Sequence, residues 1–329
     1  MTEPAAQKPA FTFIDLFAGI GGIRIALESA GGKCVFSSEF DKHCQETYLA
    51  NFGETPAGDI TKIDVASIPD HDVLAGGFPC QPFSISGVSC RNYLGREHGL
   101  MDKIKGTLFR NIADILLAKQ PKMFLLENVK NLKSHNNGNT FKTIMTTFDD
   151  LGYTVWPKVL SAKSFVPQRR QRIFLVGILR SHFGEFTTFT APKIPKTKPP
   201  RLSSILDSDV PDKYTLTDKV WKYLQEHAKM HKAKGHGFGY GLVNGDSVAG
   251  TLTRRYYKDG SEILVEQPGK NPRRLTPNEC RKLMGFPDTF KVAKSDNEAY
   301  KQFGNSVVVP VVAHLAKAVA AFLTNGRGL

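Results

Sequence analysis

Phe13-Ile-Asp-Leu-Phe-Ala-Gly-Ile-Gly-Gly22 decides the fold of this 329-residue chain. An apolar run ends on three glycines and passes directly into a helical pattern over 23–30. A strand that turns into a helix over glycines brings backbone N–H groups close to a ligand. The glycines stand at 19, 21 and 22, so the pattern is G-x-G-G and not the G-x-G-x-x-G of dinucleotide sites. Outward from this turn, residues 11–179 alternate β-branched or aromatic runs with amphipathic segments. Strands are expected at 11–16, 34–39, 72–76, 123–127, 154–160 and 172–179, and helices at 23–30, 41–52, 108–119 and 140–151, the last capped at Leu151-Gly152. That alternation predicts an α/β fold, a doubly wound, mostly parallel sheet.

Three carboxylates accompany the turn. Asp15 stands just upstream, where it could meet a cationic or hydroxyl-bearing ligand. Glu39 closes the second strand, placed to accept from ribose hydroxyls, and Asp59, in Gly58-Asp-Ile60, is expected at a third strand end, facing an adenine amine. Glycines alone would be explained by a tight packing turn. With Glu39 and Asp59 added, an adenosine ligand without a diphosphate fits best, and S-adenosylmethionine is the obvious candidate.

Further along, Gly76-Gly-Phe-Pro-Cys-Gln-Pro-Phe-Ser-Ile-Ser86 puts Cys80 on a turn beyond a strand's C-terminal end, where α/β enzymes place their chemistry. The run Met123-Phe-Leu-Leu-Glu-Asn-Val129 is apolar until it delivers Glu127, a carboxylate that must be paired or protonated if buried. Protonated near neutrality, it could donate to a ring nitrogen. In Gln168-Arg-Arg-Gln-Arg172, Arg170 and Arg172 are two apart, on one face of an extended segment and able to converge on an anion or a carboxylate.

Lys and Arg number 44 against 31 Asp and Glu, a net +13, which favours a polyanionic partner. Residues 191–274 carry 16 of those cations and 9 of the acids, and are expected to hold the electrostatic contact surface. They follow Thr190-Ala-Pro-Lys-Ile-Pro-Lys-Thr-Lys-Pro-Pro-Arg201, which reads as a linker, and 202–270 reads as irregular and glycine-rich. The expected divisions are therefore 1–189, 190–274 and a C-terminal segment, 275–329, that packs back on the first. In that last segment Thr276-Pro-Asn-Glu279 and Ser295-Asp-Asn-Glu298 read as capping boxes, and Val311, Leu315, Val319 and Phe322 share a helical face. Five cysteines without a CxxC pair point to a reduced, cytoplasmic compartment, and no metal-binding spacing occurs. The apolar stretch 307–323 reads as too short and too polar to span a bilayer.

Taken in order, these motifs resemble the DNA (cytosine-5) methyltransferases, in particular the small bacterial modification enzymes. The resemblance runs through Asp15–Gly22, Glu39, Gly58-Asp59, Gly77-Phe-Pro-Cys-Gln81, Glu127-Asn-Val129, Gln168–Arg172, Arg274–Pro287 and Gln302-Phe-Gly-Asn-Ser-Val307. It implies the methyltransferase fold with a smaller irregular target-recognition domain, S-adenosylmethionine as cofactor, and double-stranded DNA as the partner of a monomer. It implies that the Cys80 thiolate adds to C6 of a flipped cytosine while Glu127 serves N3, Arg172 contacts O2 and Arg170 helps hold the site. Arg172 is also the cation expected to favour the thiolate. The base that removes the C5 proton has no assignment.

Cofactor contacts implied by the resemblance are Phe17, Gly19, Gly22, Glu39, Asp59, Ile60, Asn305 and Val307, although Phe17 and Ile60 are equally natural core residues. The glycine-rich stretch 83–106 reads as a lid or a surface loop, with Ser84 and Ser86 candidates for DNA contact. In the variable region, 231–242 and 251–264 look like a subgroup acting on sites beginning CC and ending GG. Arg254, Arg255 and Lys258 have the reach for guanine O6 and N7, or for phosphates. Thr253-Arg254 departs from the Ser-Ala expected there. Of the rivals, a tRNA-methylating branch shares the chemistry but differs around the cysteine. A nicotinamide-dependent oxidoreductase lacks its fingerprint, and a non-catalytic module would lack Cys80 or Glu127.

Overall fold

The computed structural model describes residues 8–78, 108–235, 237 and 239–326. A six-stranded sheet has the order β2-β1-β3-β4-β6-β5, from Phe11–Leu16 (β1), Gly32–Ser38 (β2), Val73–Gly77 (β3), Met123–Val129 (β4), Tyr153–Ser161 (β5) and Gln171–Leu179 (β6). Parallel pairing joins β2, β1, β3 and β4, and β6 alone runs against both its neighbours. All six strands expected from the sequence are present, with ends moved by one or two residues.

Both sheet faces are covered, as a parallel sheet requires. Along β4, Met123 and Leu125 face one layer while Phe124 and Leu126 face the other; along β6, Phe174, Val176 and Ile178 alternate with Ile173, Leu175 and Leu179. The first layer packs on Gly22–Glu28 (α1), the second on Leu108–Lys119 (α3) and Asn139–Asp150 (α4), while Lys42–Phe52 (α2) follows β2. Gly152 takes the expected left-handed position after α4, at φ 86°.

The region expected to be irregular contains a 16-residue helix, Asp218–Ala233 (α5), and a small sheet of Leu242–Val243 (β7), Leu264–Gln267 (β8) and Lys270–Arg274 (β9). Thr217 caps α5, its hydroxyl accepting from the Val220 N–H at 3.4 Å. The helix was concealed by its thin apolar stripe, since only Leu224 is fully buried.

At the C-terminal end, Pro277–Leu283 (α6) opens on a complete capping box: Thr276 accepts from the Glu279 N–H at 3.0 Å and Glu279 accepts from the Thr276 N–H at 2.7 Å. Asp296–Asn305 (α7) does start after Ser295, but the Ser295 side chain makes no cap bond and Glu298 pairs with Lys301 at 2.7 Å. Val309–Asn325 (α8) lies against α1 with Val311, Leu315, Val319 and Phe322 buried. Asp296–Asn325 as one stretch is long and apolar enough by composition to cross a bilayer, but it is two helices broken at 306–308. Its apolar residues are used in the core instead.

Candidate active site

Chain order reverses between β1 and β3, and a cavity of about 470 Å³ opens there beyond the C-terminal strand ends. Phe17, Gly19, Glu39, Asp59, Ile60, Asn305 and Val307 line it, as do Glu127, Arg170, Arg172 and Arg254. Gly22 lies beneath the wall. A Cβ there would stand 2.8 Å from Ser306 Oγ and 3.0 Å from Val307 Cγ2, so glycine lets α1 meet the Gly304–Val307 turn directly. Cys80, Ser84 and Ser86 lie outside the described residues; Gly77 and Phe78, just before them, border the cavity.

The turn's amides are already engaged. Glu39 Oε2 accepts from the Gly19 N–H at 2.8 Å, its Oε1 accepts from the Asp41 N–H at 2.9 Å, and the Gly21 N–H donates to the Ala18 carbonyl at 2.8 Å. A diphosphate would need those donors and would meet the Glu39 carboxylate in their place. Burial pushes the Glu39 pKa above the usual carboxylate range, against the pull of the amides. Asp59 does not end a strand. It caps the short turn Ile60–Lys62, accepting from the Thr61 N–H and hydroxyl at 3.0 and 2.8 Å, and those bonds hold its pKa low. Phe17 adopts φ 55°, a strained conformation for an aromatic residue, which carries its ring to the cavity wall while it still touches the core. This donor set fits an adenosine: carboxylates for hydroxyls and an amine, apolar walls for a base.

Asp15 does not take part. It is fully buried, is not among the described residues that line this cavity, and neither oxygen has a hydrogen-bond partner in good geometry among the described residues. Burial raises its pKa to about 8, Arg24 opposing and Glu39 and Glu28 reinforcing the shift. The folded protein therefore keeps a proton on Asp15 that the unfolded chain, near 3.8, has lost. The stabilising contribution of neutral Asp15 is whole below about pH 4 and drains away as pH rises towards 8. Asp15→Asn is expected to raise stability in urea unfolding at pH 8 by about 2 kcal/mol, and by clearly less at pH 5.

At the other side of the cavity Glu127, delivered by β4, meets the Nε of Arg172 at 3.0 Å. Burial raises the Glu127 pKa, with Arg172 and then Arg170 resisting. Arg170 and Arg172 both lie beside the Glu127 carboxylate, but Arg172 alone of the two pairs with it directly. The Arg170 guanidinium donates to the carbonyls of Leu252 at 2.6 Å, Gly304 at 3.0 Å and Ser306 at 2.6 Å, and so ties β6 to the variable region and to the last motif. Burial beside Arg172 pushes it below the usual guanidinium range, to about 9. Arg255 and Lys258 are exposed away from the cavity, whereas Arg254 faces it.

Some contributors were missed. Phe40, 71% exposed, stands at the cavity mouth; its signal was an aromatic directly after a strand-end glutamate. Asn128 is buried and donates to the Phe78 carbonyl at 2.9 Å, pinning the end of β3 where Pro79 and Cys80 follow. Gln302 binds α7 to α2 through the His43 carbonyl at 2.9 Å and the Thr47 hydroxyl at 3.1 Å.

A doubly wound sheet with one antiparallel strand, and a carboxylate-closed glycine turn at its switch point, define a methyltransferase of the α/β class. The chain belongs to the C-5 cytosine-specific DNA methylases, whose family model matches residues 11–321. It is 50% identical over 319 residues to the Type II methyltransferase M.NlaX of Neisseria lactamica, covering 95% of this chain and 97% of that protein. It is 46% identical over 375 residues to the DNA-cytosine methyltransferase of Escherichia coli K12, covering 96% and 79%. With the Type II methyltransferase M.HpaII of Haemophilus parainfluenzae the identity is 41% over 358 residues, covering 99% and 97%. The Dnmt2 methyltransferase of S. pombe shares the fold, with a TM-score of 0.72, 21% identity, and coverage of 95% of this chain and 98% of that one.

Proposed function

We propose that this chain methylates C5 of a cytosine turned out of a short duplex site, as the modification enzyme of a restriction-modification pair. It acts as a cytoplasmic monomer on sites beginning CC and ending GG. The observation that carries the reading is Glu127, a half-buried carboxyl of raised pKa held against Arg172 in the same cavity as Glu39 and Asp59.

Glu39 and Asp59 would hold the adenosine of S-adenosylmethionine, with Phe17, Phe40 and Ile60 against its base and Gly19, Gly22, Asn305 and Val307 completing the wall. When bound, that cofactor supplies an electrophilic methyl group. The chain's own residues make C5 nucleophilic. As the Cys80 sulfur bonds to C6, the displaced electron pair moves through the ring and N3 takes the Glu127 proton. Arg172, already beside Glu127, reaches O2 of the same ring and favours the Cys80 thiolate. Arg170 positions both by locking β6. After methylation the C5 proton leaves to a base, its electron pair closes the C5–C6 double bond, the Cys80 thiolate departs, and N3 returns its proton to Glu127. Ser84 and Ser86 contact the DNA, and 190–274 selects the site.

Labelled methyl from S-adenosylmethionine should enter plasmid DNA and not a tRNA transcript. Mapping 5-methylcytosine in plasmid from expressing cells should give one short motif. Label confined to RNA, or on another base, would overturn the reading.

A further inference from the structure

Among the described residues three arginines line the cavity, and two are committed. Arg172 pairs with Glu127, and Arg170 donates to three backbone carbonyls. Arg254 makes no hydrogen bond or ion pair with any described residue, and its charge acts on the Cys44 thiol beside Glu39 and Asp41.

Its backbone is firmly placed. Arg254 opens the short helix Arg254–Tyr257, which rests on the C-terminal turn of α7. A Cβ at Gly304 would stand 2.3 Å from the Thr253 carbonyl oxygen and 2.5 Å from the Arg254 nitrogen, so only glycine permits this approach. Tyr256 anchors the same turn from below, donating to the Ile263 carbonyl at 2.6 Å and accepting from the Leu275 N–H at 2.8 Å. Arg255 and Lys258, on that turn, stay outside the cavity.

We propose that Arg254 binds the α-carboxylate at the amino-acid end of S-adenosylmethionine. The inference rests on reading the cavity as that cofactor's site. An adenosine end matched to Glu39, Asp59 and Phe40 leaves a carboxylate that needs a cation, and Arg254 is the uncommitted one among the described residues. The residue comes from the variable region rather than from the catalytic motifs.

Calorimetric titration without DNA tests this, using S-adenosylhomocysteine and 5′-deoxy-5′-methylthioadenosine, which lacks the amino-acid carboxylate. Arg254→Ala should weaken S-adenosylhomocysteine binding roughly 10- to 100-fold and leave methylthioadenosine within about twofold. Arg254→Lys, which keeps the charge, should recover much of the loss. Unchanged methylthioadenosine binding also shows that the variant is folded. Equal loss of both ligands, or an unchanged S-adenosylhomocysteine affinity with weaker duplex binding, would overturn the proposal in favour of a packing or phosphate role. Wild-type protein that binds neither nucleoside would overturn the reading of the cavity itself.

Discussion

Duplex DNA carrying 5-fluorocytosine at its target should become covalently joined to the wild-type protein, and Cys80→Ala should form no adduct. With ordinary DNA the same substitution should lower methyl transfer by at least about 10³-fold, leaving cofactor binding intact. The loss is large because no other step makes C5 a nucleophile: without the sulfur–C6 bond, the ring's electrons stay in its aromatic system. Fluorine at C5 cannot leave as a proton does, so the adduct that normally breaks down persists and survives denaturation. Peptide mapping should put it on the segment 77–86. An adduct on another residue, or full activity in Cys80→Ala, would remove the covalent mechanism altogether.

Glu127→Gln should lower kcat by roughly 10²- to 10⁴-fold with much less change in KM for DNA. Glutamine keeps the size and offers a hydrogen bond, but it gives up no proton to N3. The pH profile separates this from a structural effect. Cys80 acts as a thiolate, so the rate rises with pH as the thiol ionises. Glu127 acts in its protonated form, which burial sustains to higher pH than an ordinary glutamic acid, so the rate falls as pH passes its raised pKa. Glu127→Gln should therefore lose the descending alkaline limb and keep the ascending one. A variant profile still falling at high pH would assign that limb to another group.

The parallel sheet was legible because its strands are apolar on both faces and bounded by turn residues; Met123-Phe-Leu-Leu126 reads as buried in any register. The site's motifs were legible for a related reason: a carboxylate or a glycine turn at a strand end breaks an apolar run. α5 was not, since its stretch is mostly polar and the glycines after it dominated the local composition. Ser295 was misread because a capping-box pattern states only which bonds are available; its side chain makes no cap bond and Glu298 pairs with Lys301. Asp15 was misread because its distance from the glycine turn along the chain says nothing about which sheet face it points into.

By itself, then, the sequence determined that a strand, a glycine turn and a helix would form at residues 11–28, and that Glu39 and Glu127 would stand at or near strand ends. Those are local matters of residue type and spacing. Only the tertiary structure decided that Glu39 closes on the Gly19 amide, that Arg170 is consumed by three carbonyls from distant segments, and that Arg254 turns into the cavity while Arg255 does not. The Arg170 outcome depends on which acceptors a buried donor finds across more than 80 residues of chain, as with the Arg170–Leu252 bond. The need to satisfy every buried polar group is settled by packing in three dimensions, not by order along the chain.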